Sequence, residues 1–133
     1  MMVNKVNKNF LKSSYYIIDL KLCSIRLINN QNFPWIILIP KRKGVTDITE
    51  LNIKDQVLLM KEIVYCSKRM KKFFNTSKLN VEKIGNIVPQ LHIHIIARYK
   101  KDKSWPLPVW TVKNKKYSKS NLENIIKKIK KSF

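Results

Sequence analysis

Apolar residues in this chain of 133 residues come in short blocks, and the spacing inside each block changes along the sequence. Residues 15–20 and 23–28 are rich in β-branched and aromatic side chains, and the second block alternates polar with apolar positions, as a half-buried strand does. The polar run Asn29-Asn-Gln-Asn32 reads as a turn. Trp35-Ile-Ile-Leu-Ile39, closed by Pro40, is continuously apolar and predicts a central strand covered on both faces. From Asp55 to Phe74 the spacing lengthens to the helical period, with apolar residues at 58, 59, 63, 66, 70, 73 and 74 and Glu62 interrupting the face. Alternation returns over 78–84, which ends at Gly85, and over 91–97, predicting two more strands as a hairpin or adjacent pair. A terminal helix over 118–133 opens at Ser118 or Ser120 as N-cap and carries Leu122, Ile125, Ile126 and Ile129 on one face. Residues 1–13 are Asn- and Lys-rich without a period and read as a loose arm, with order beginning near Ser14.

The order β-β-β-α-β-β-α has too few helical crossovers for a parallel sheet. The expected fold is therefore α+β: a mostly antiparallel five-stranded sheet with a long central helix and a C-terminal helix. The length suits one domain over residues 1–133. A hydrophobic content of 44% is enough to build a core, and no apolar run approaches the roughly 20 residues of a membrane-spanning helix. The N-terminus lacks the apolar stretch of a secretory signal, and Cys23 and Cys66 sit in apolar settings without metal-ligand spacing. These features predict a cytoplasmic protein with two reduced, buried thiols.

The net charge of +20 points to an anionic partner. The 24 Lys, 4 Arg, 13 Asn and 18 Ile qualify that reading. Lys, Asn and Ile share A/T-rich codons, and a phosphate-recognition surface would be expected to use more of the planar, bidentate Arg fork. The basic residues are also spread along the chain without interleaved aromatic platforms, so a nucleic-acid partner is not expected.

The only two histidines are His92 and His94. Strand side chains at i and i+2 share a face, so the pattern predicts a polar row of Gln90, His92 and His94, with imidazoles about 6–7 Å apart, backed by Leu91, Ile93 and Ile95 on the other side. Three readings fit such a row. It is a solvent-facing strand surface, or a metal site, or the centre of nucleophilic catalysis by a neutral imidazole. Zinc requires three or four ligands, and no Cys, Asp or Glu is spaced to complete a set, so no metal or cofactor is expected.

Gly85-Asn-Ile-Val-Pro-Gln-Leu-His-Ile-His-Ile-Ile-Ala-Arg98 resembles the signature of the histidine triad (HIT) superfamily of nucleotide hydrolases and transferases. Asn32-Phe-Pro-Trp-Ile-Ile-Leu-Ile-Pro-Lys-Arg42, the 78–81 lead-in and Ser104-Trp-Pro-Leu-Pro-Val-Trp110 resemble the bacterial branch with Gln at the first triad position, so the likeness spans about residues 14–112. The resemblance implies that His92 attacks the α-phosphorus of a nucleotide, that His94 contacts phosphate or leaving-group oxygens, and that Gln90 stands where the first histidine would. An amide there keeps hydrogen bonding but cannot carry a proton near neutral pH. Asn86 matches a phosphate-contact position, and Gly85 fits either a close backbone approach to the ligand or a simple turn. Asn29 falls near a ribose-binding Asn, where turn chemistry explains an Asn equally well.

Arg98 has two readings, a phosphate contact or a surface ion pair. The 105–110 segment is either a packed loop or a rim to the pocket. Cleavage at the α-phosphate through a nucleotidyl-histidine is the function implied, and a nucleotide-binding module without turnover is the alternative. The resemblance also implies a homodimer, with residues 15–20 or the central helix as candidate interfaces.

Overall fold

The computed structural model describes residues 6–133; residues 1–5 of the expected N-terminal arm lie outside them. Five strands, β1 (Ser14–Asp19), β2 (Cys23–Ile28), β3 (Trp35–Pro40), β4 (Lys78–Glu82) and β5 (Ile93–Arg98), form one sheet in the order β1-β2-β3-β5-β4. All four pairings are antiparallel, as the element order predicts. Strand β3 lies at the centre with all six residues buried, in keeping with its continuous apolar run.

Among the described residues the α-helices are α1 (Lys8–Ser13), α2 (Ile53–Phe74) and α3 (Lys119–Ser132). Helix α2 starts where Asn52 accepts the Asp55 backbone N–H and stops at Asn75, whose left-handed backbone (φ 50°) ends the run. Its buried residues Leu59, Glu62, Cys66 and Met70 repeat at helical spacing, and Leu59, Cys66 and Met70 pack with Ile36 and Leu38 of β3 and Ile93, Ile95 and Ala97 of β5. Ile129 of α3 joins the same cluster, and Ser118 caps that helix as expected. Glu62 is buried in this apolar layer because its two carboxylate oxygens accept the backbone N–H groups of Leu22 and Cys23, each at 2.8 Å. A buried acceptor pair that satisfies two main-chain donors fits an otherwise apolar face.

Strand alternation sends Trp35, Ile37 and Ile39 of β3, and His94, Ile96 and Arg98 of β5, to the opposite face. Among the described residues no long helix covers it. Instead, Phe10 of α1 packs on Ile37 and Ile39, and Val109 packs with Phe33, Trp35 and Ile96. The expectation of a loose arm to residue 13 is thus corrected: Lys8–Ser13 is helical and Phe10 is 3% exposed. Asn7 caps this turn by accepting the Asn9 N–H, and burial of one aromatic ring supplies what the polar composition around it lacks.

Arg98 anchors the chain after β5. It is 2% exposed, pairs bidentately with Asp102, and donates to Asn80, Ser104 and the Leu107 carbonyl, with Phe33 and Trp105 over its guanidinium. Of its two readings the ion pair holds, but inside the molecule rather than at the surface. Burial would raise the Asp102 carboxyl; the Arg98 guanidinium and three backbone N–H groups overcome that and hold it at about 2. On the outside of α2, Ile53, Val57, Met60 and Val64 form an exposed apolar stripe.

Candidate active site

Where β5 begins, the chain has just passed a bend at Gln90, and His92 precedes the first paired residue, Ile93. His92 and His94 share the sheet face opposite α2, and both are buried, at 6% and 5% exposure. That burial removes the reading of a solvent-facing polar strand. Their rings meet edge to face with centroids 4.7 Å apart, closer than strand spacing alone suggests. Aromatic side chains enclose them: Phe10 lies edge-on to His92 at 4.7 Å, and Trp35 and Trp110 lie edge-on to His94 at 5.6 and 5.2 Å.

Each ring nitrogen Nδ1 has a partner. His92 Nδ1 lies 2.7 Å from the Gln90 carbonyl oxygen, an acceptor, so Nδ1 carries the proton and Nε2 keeps its lone pair. His94 Nδ1 accepts from Trp35 Nε1 at 3.0 Å. Burial lowers the His92 pKa below the ordinary imidazole value; the bond to the Gln90 carbonyl opposes the shift, and the cation of Lys83 adds to it. Burial and the neighbouring His92 bring His94 down to about 3. Both rings are neutral at neutral pH.

A cavity of about 620 Å³ opens beside the two rings, bounded by Phe10 and Ser13 of α1, Ile28, Trp35, Ile37, the 84–88 loop and Trp110. Its walls are chiefly apolar, and Asn86 is the amide among them. Gly85 also lines it. There the backbone sits at φ +71°, where a side chain would be strained, while a Cβ would meet its nearest atom only at 3.7 Å. The turn reading of Gly85 therefore accounts for the residue.

The side chains of the two remaining expected site residues do not reach the cavity. Gln90 does not line the cavity; its side-chain oxygen accepts the Asn7 backbone N–H at 2.7 Å, so it fastens the segment that carries Phe10. Asn29 accepts the Tyr117 N–H at 2.9 Å and holds the C-terminal segment against β2, outside the cavity lining. Residues 105–110 divide between the two readings. Trp105 packs over Arg98, whereas Trp110 stands at the rim, half exposed, with its indole N–H on Glu82 at 2.9 Å.

Trp35 and Phe10 escaped the sequence reading of the site. An available signal for Trp35 was its place two residues before Ile37 on the buried central strand, on the face that the β3–β5 register shares with His94. Phe10 left none beyond being the one aromatic in a polar run. Among the described residues, no three His, Cys, Asp or Glu side chains gather as a metal site would require.

A family model described as the HIT domain matches residues 10–101, from within α1 to just past β5. The chain belongs to the HIT-domain family. Among solved structures, this HIT protein is 32% identical to a histidine triad protein from Bradyrhizobium japonicum, over 98% of both chains with a TM-score of 0.92. A histidine triad protein from Marinobacter aquaeolei is 31% identical over 98% of this chain and 96% of its own, with a TM-score of 0.93. The fold alone is shared with diadenosine triphosphate hydrolase from Plasmodium falciparum, 20% identical over 98% of this chain and 88% of its own, with a TM-score of 0.65. No curated protein matches this HIT chain.

Proposed function

We propose that this HIT protein is a nucleotide hydrolase or nucleotidyl transferase that cleaves at the α-phosphate through a nucleotidyl-histidine on His92. One observation carries the reading: the 2.7 Å contact of His92 Nδ1 with the Gln90 carbonyl, which leaves Nε2 unprotonated beside a cavity of about 620 Å³. The hydrolase activity of the Plasmodium relative, which shares the fold, is in keeping with it. Attack by Nε2 builds negative charge on the phosphoryl oxygens, and the His94 Nε2–H and the Asn86 amide are the donors that would meet it. In this reading Gln90 fills the first place of a Gln-x-His-x-His variant of the triad and acts through its carbonyl, not as an acid. Asn29, set against Tyr117, contributes to the frame around the C-terminal segment.

The test is release of nucleoside monophosphate from adenosine and guanosine phosphoramidates and dinucleoside polyphosphates, beside His92→Ala and His92→Gly. Turnover by the wild type, and its loss by at least about 10³-fold in both folded variants, is the expected outcome. Binding without release by the wild type overturns the enzyme reading and supports a nucleotide-binding module, which the amide at Gln90 also fits.

The family resemblance extends the proposal to a cytoplasmic homodimer, a compartment in keeping with the free thiols of Cys23 and Cys66. Of the two candidate interfaces, α2 presents the larger set of exposed apolar side chains. Sedimentation equilibrium is expected to give twice the 15.8 kDa chain mass; a concentration-independent monomer overturns the dimer.

A further inference from the structure

Every enzyme that displaces a group from phosphorus must deal with the electron pair that leaves with that group. A poor leaving group needs a proton as it goes, and a positioned acid supplies one at a gain of about 10²–10⁴-fold. Resting on the nucleophilic role proposed for His92, the identity of that acid becomes a question about the polar side chains around the cavity and the Trp35 indole.

His94 is the ring beside the nucleophile. An indole nitrogen is only ever a donor, so the bond from Trp35 Nε1 requires a lone pair on His94 Nδ1 and puts the ring's single proton on Nε2. Protonating this imidazole would set two N–H groups against each other at 3.0 Å. Giving up the Nε2 proton would make an imidazolate. His94 is thus held as a neutral donor, able to hydrogen-bond an oxygen but not to transfer a proton to it.

The other described groups near the site offer no replacement: the Ser13 hydroxyl in the cavity wall donates to the Asn9 carbonyl at 3.1 Å. Gln90 is an amide, and its oxygen is on the Asn7 N–H. His92 itself keeps its Nδ1 proton on the Gln90 carbonyl. Lys83, the cation that acts on His92, is paired with Asp47 at 3.1 Å and is absent from the cavity walls. Glu82 faces His94 in the β4–β5 register; its Oε1 accepts from Trp110 Nε1 and its Oε2 is buried without a hydrogen-bond partner, but the residue is likewise absent from the walls.

We infer that no side chain among the described residues of this site hands a proton to the departing group, because the Trp35 indole occupies the one His94 nitrogen that could accept one, and that the substrates are therefore nucleoside phosphoanhydrides or activated esters rather than phosphoramidates. The leaving group of an anhydride departs as a stabilised phosphate or polyphosphate anion, whereas an amine must be protonated to leave. The step balances without an acid. The His92 Nε2 lone pair forms the N–P bond, the P–O bond breaks, and its electron pair leaves on the oxygen as an anion. Water then forms the new P–O bond, the N–P pair returns to Nε2, and the water's proton goes to solvent.

Two measurements on the wild-type protein test this. The first is the rate across a series of nucleoside 5′-aryl phosphodiesters whose phenols span ~3 pK units, set beside a dinucleoside polyphosphate and a phosphoramidate. The expected outcome is a fall of about 10³-fold across the series, with the phosphoramidate at least ~10²-fold slower than the anhydride. A flat series, or a phosphoramidate that matches the anhydride, overturns the inference.

The second measurement is independent of activity: ¹⁵N ring shifts of His94 in the ligand-free protein at neutral pH. They are expected to show Nε2–H with Nδ1 as acceptor, and the Nδ1–H tautomer overturns the inference. In Trp35→Phe the tautomer should become mixed and the aryl series shallower, while Lys83→Ala should leave the slope unaltered. If every substrate stays intact while the tautomer is as expected, the enzyme reading has failed and takes the substrate preference with it; if turnover occurs with a flat series, only the inference has failed.

Discussion

The two imidazoles of the site stand for a stability cost that appears only in acid. In an unfolded chain each would take up a proton near pH 6.5, whereas burial keeps His92 below that value and brings His94 to about 3. The unfolded state therefore binds more protons than the native state throughout that interval, and stability must fall as pH drops. The stabilisation is fully present above pH 6.5 and is lost progressively toward pH 3 at up to about 1.4 kcal/mol per pH unit for His94, with His92 adding in the same direction. The depressed carboxyls of Asp47, Glu50 and Asp102 act in the same direction, but below the ordinary carboxylate values. Denaturant titrations at pH 7, 6 and 5 are thus expected to show declining midpoints, and His94→Phe should flatten the decline; a midpoint independent of pH over that range would contradict burial of neutral imidazoles. The thiols behave oppositely, since burial and the Glu62 carboxylate raise Cys66 to about 12 and push Cys23 up as well, so both stay protonated and inert at neutral pH.

At the scale of elements, period and punctuation located most of the fold. Strand β3 and helix α2 stand where a continuous apolar run and a helical repeat placed them, and β4 and β5 form the expected adjacent pair. The boundaries moved where local chemistry outweighed period. Asn52 caps α2 three residues before Asp55, and β5 begins at Ile93 because the chain bends at Gln90. Helix α1 was illegible for a physical reason: six residues of polar composition form a helix here only against tertiary structure, through Phe10 on Ile37 and Ile39 and through the Asn7 bond to Gln90. The site was half legible on the same grounds. Alternation put His92 and His94 on one face, but what each nitrogen bonds depends on Trp35, 59 residues away in the chain, and on a backbone carbonyl. Gln90 and Asn29 show the limit of motif position, since each is near the expected place while its oxygen serves a backbone N–H of a terminal segment.

At the scale of the whole molecule the question is what a net charge of +20 does for a cavity with chiefly apolar walls. Among the described residues the walls hold no lysine or arginine, so none of the described cations binds phosphate at the site directly. Lysines 127, 128, 130 and 131 instead form a solvated face of α3, and others are spread over loops and α2. Such a distribution raises the potential around the protein as a whole, which speeds the encounter of a polyanionic nucleotide without strengthening its bound state. The two effects separate with salt, because the Debye length falls from about 30 Å at 0.01 M to about 8 Å at 0.15 M. For the proposed activity kcat/KM is expected to fall by about tenfold or more over that range when association limits it, while kcat stays constant. A steeper fall for a tetraphosphate-bridged than for a diphosphate-bridged dinucleotide would follow, since steering scales with the charge carried in. A fall in kcat with kcat/KM unchanged would instead place a screened cation in contact with the reacting phosphate, which the cavity walls of this structure do not provide.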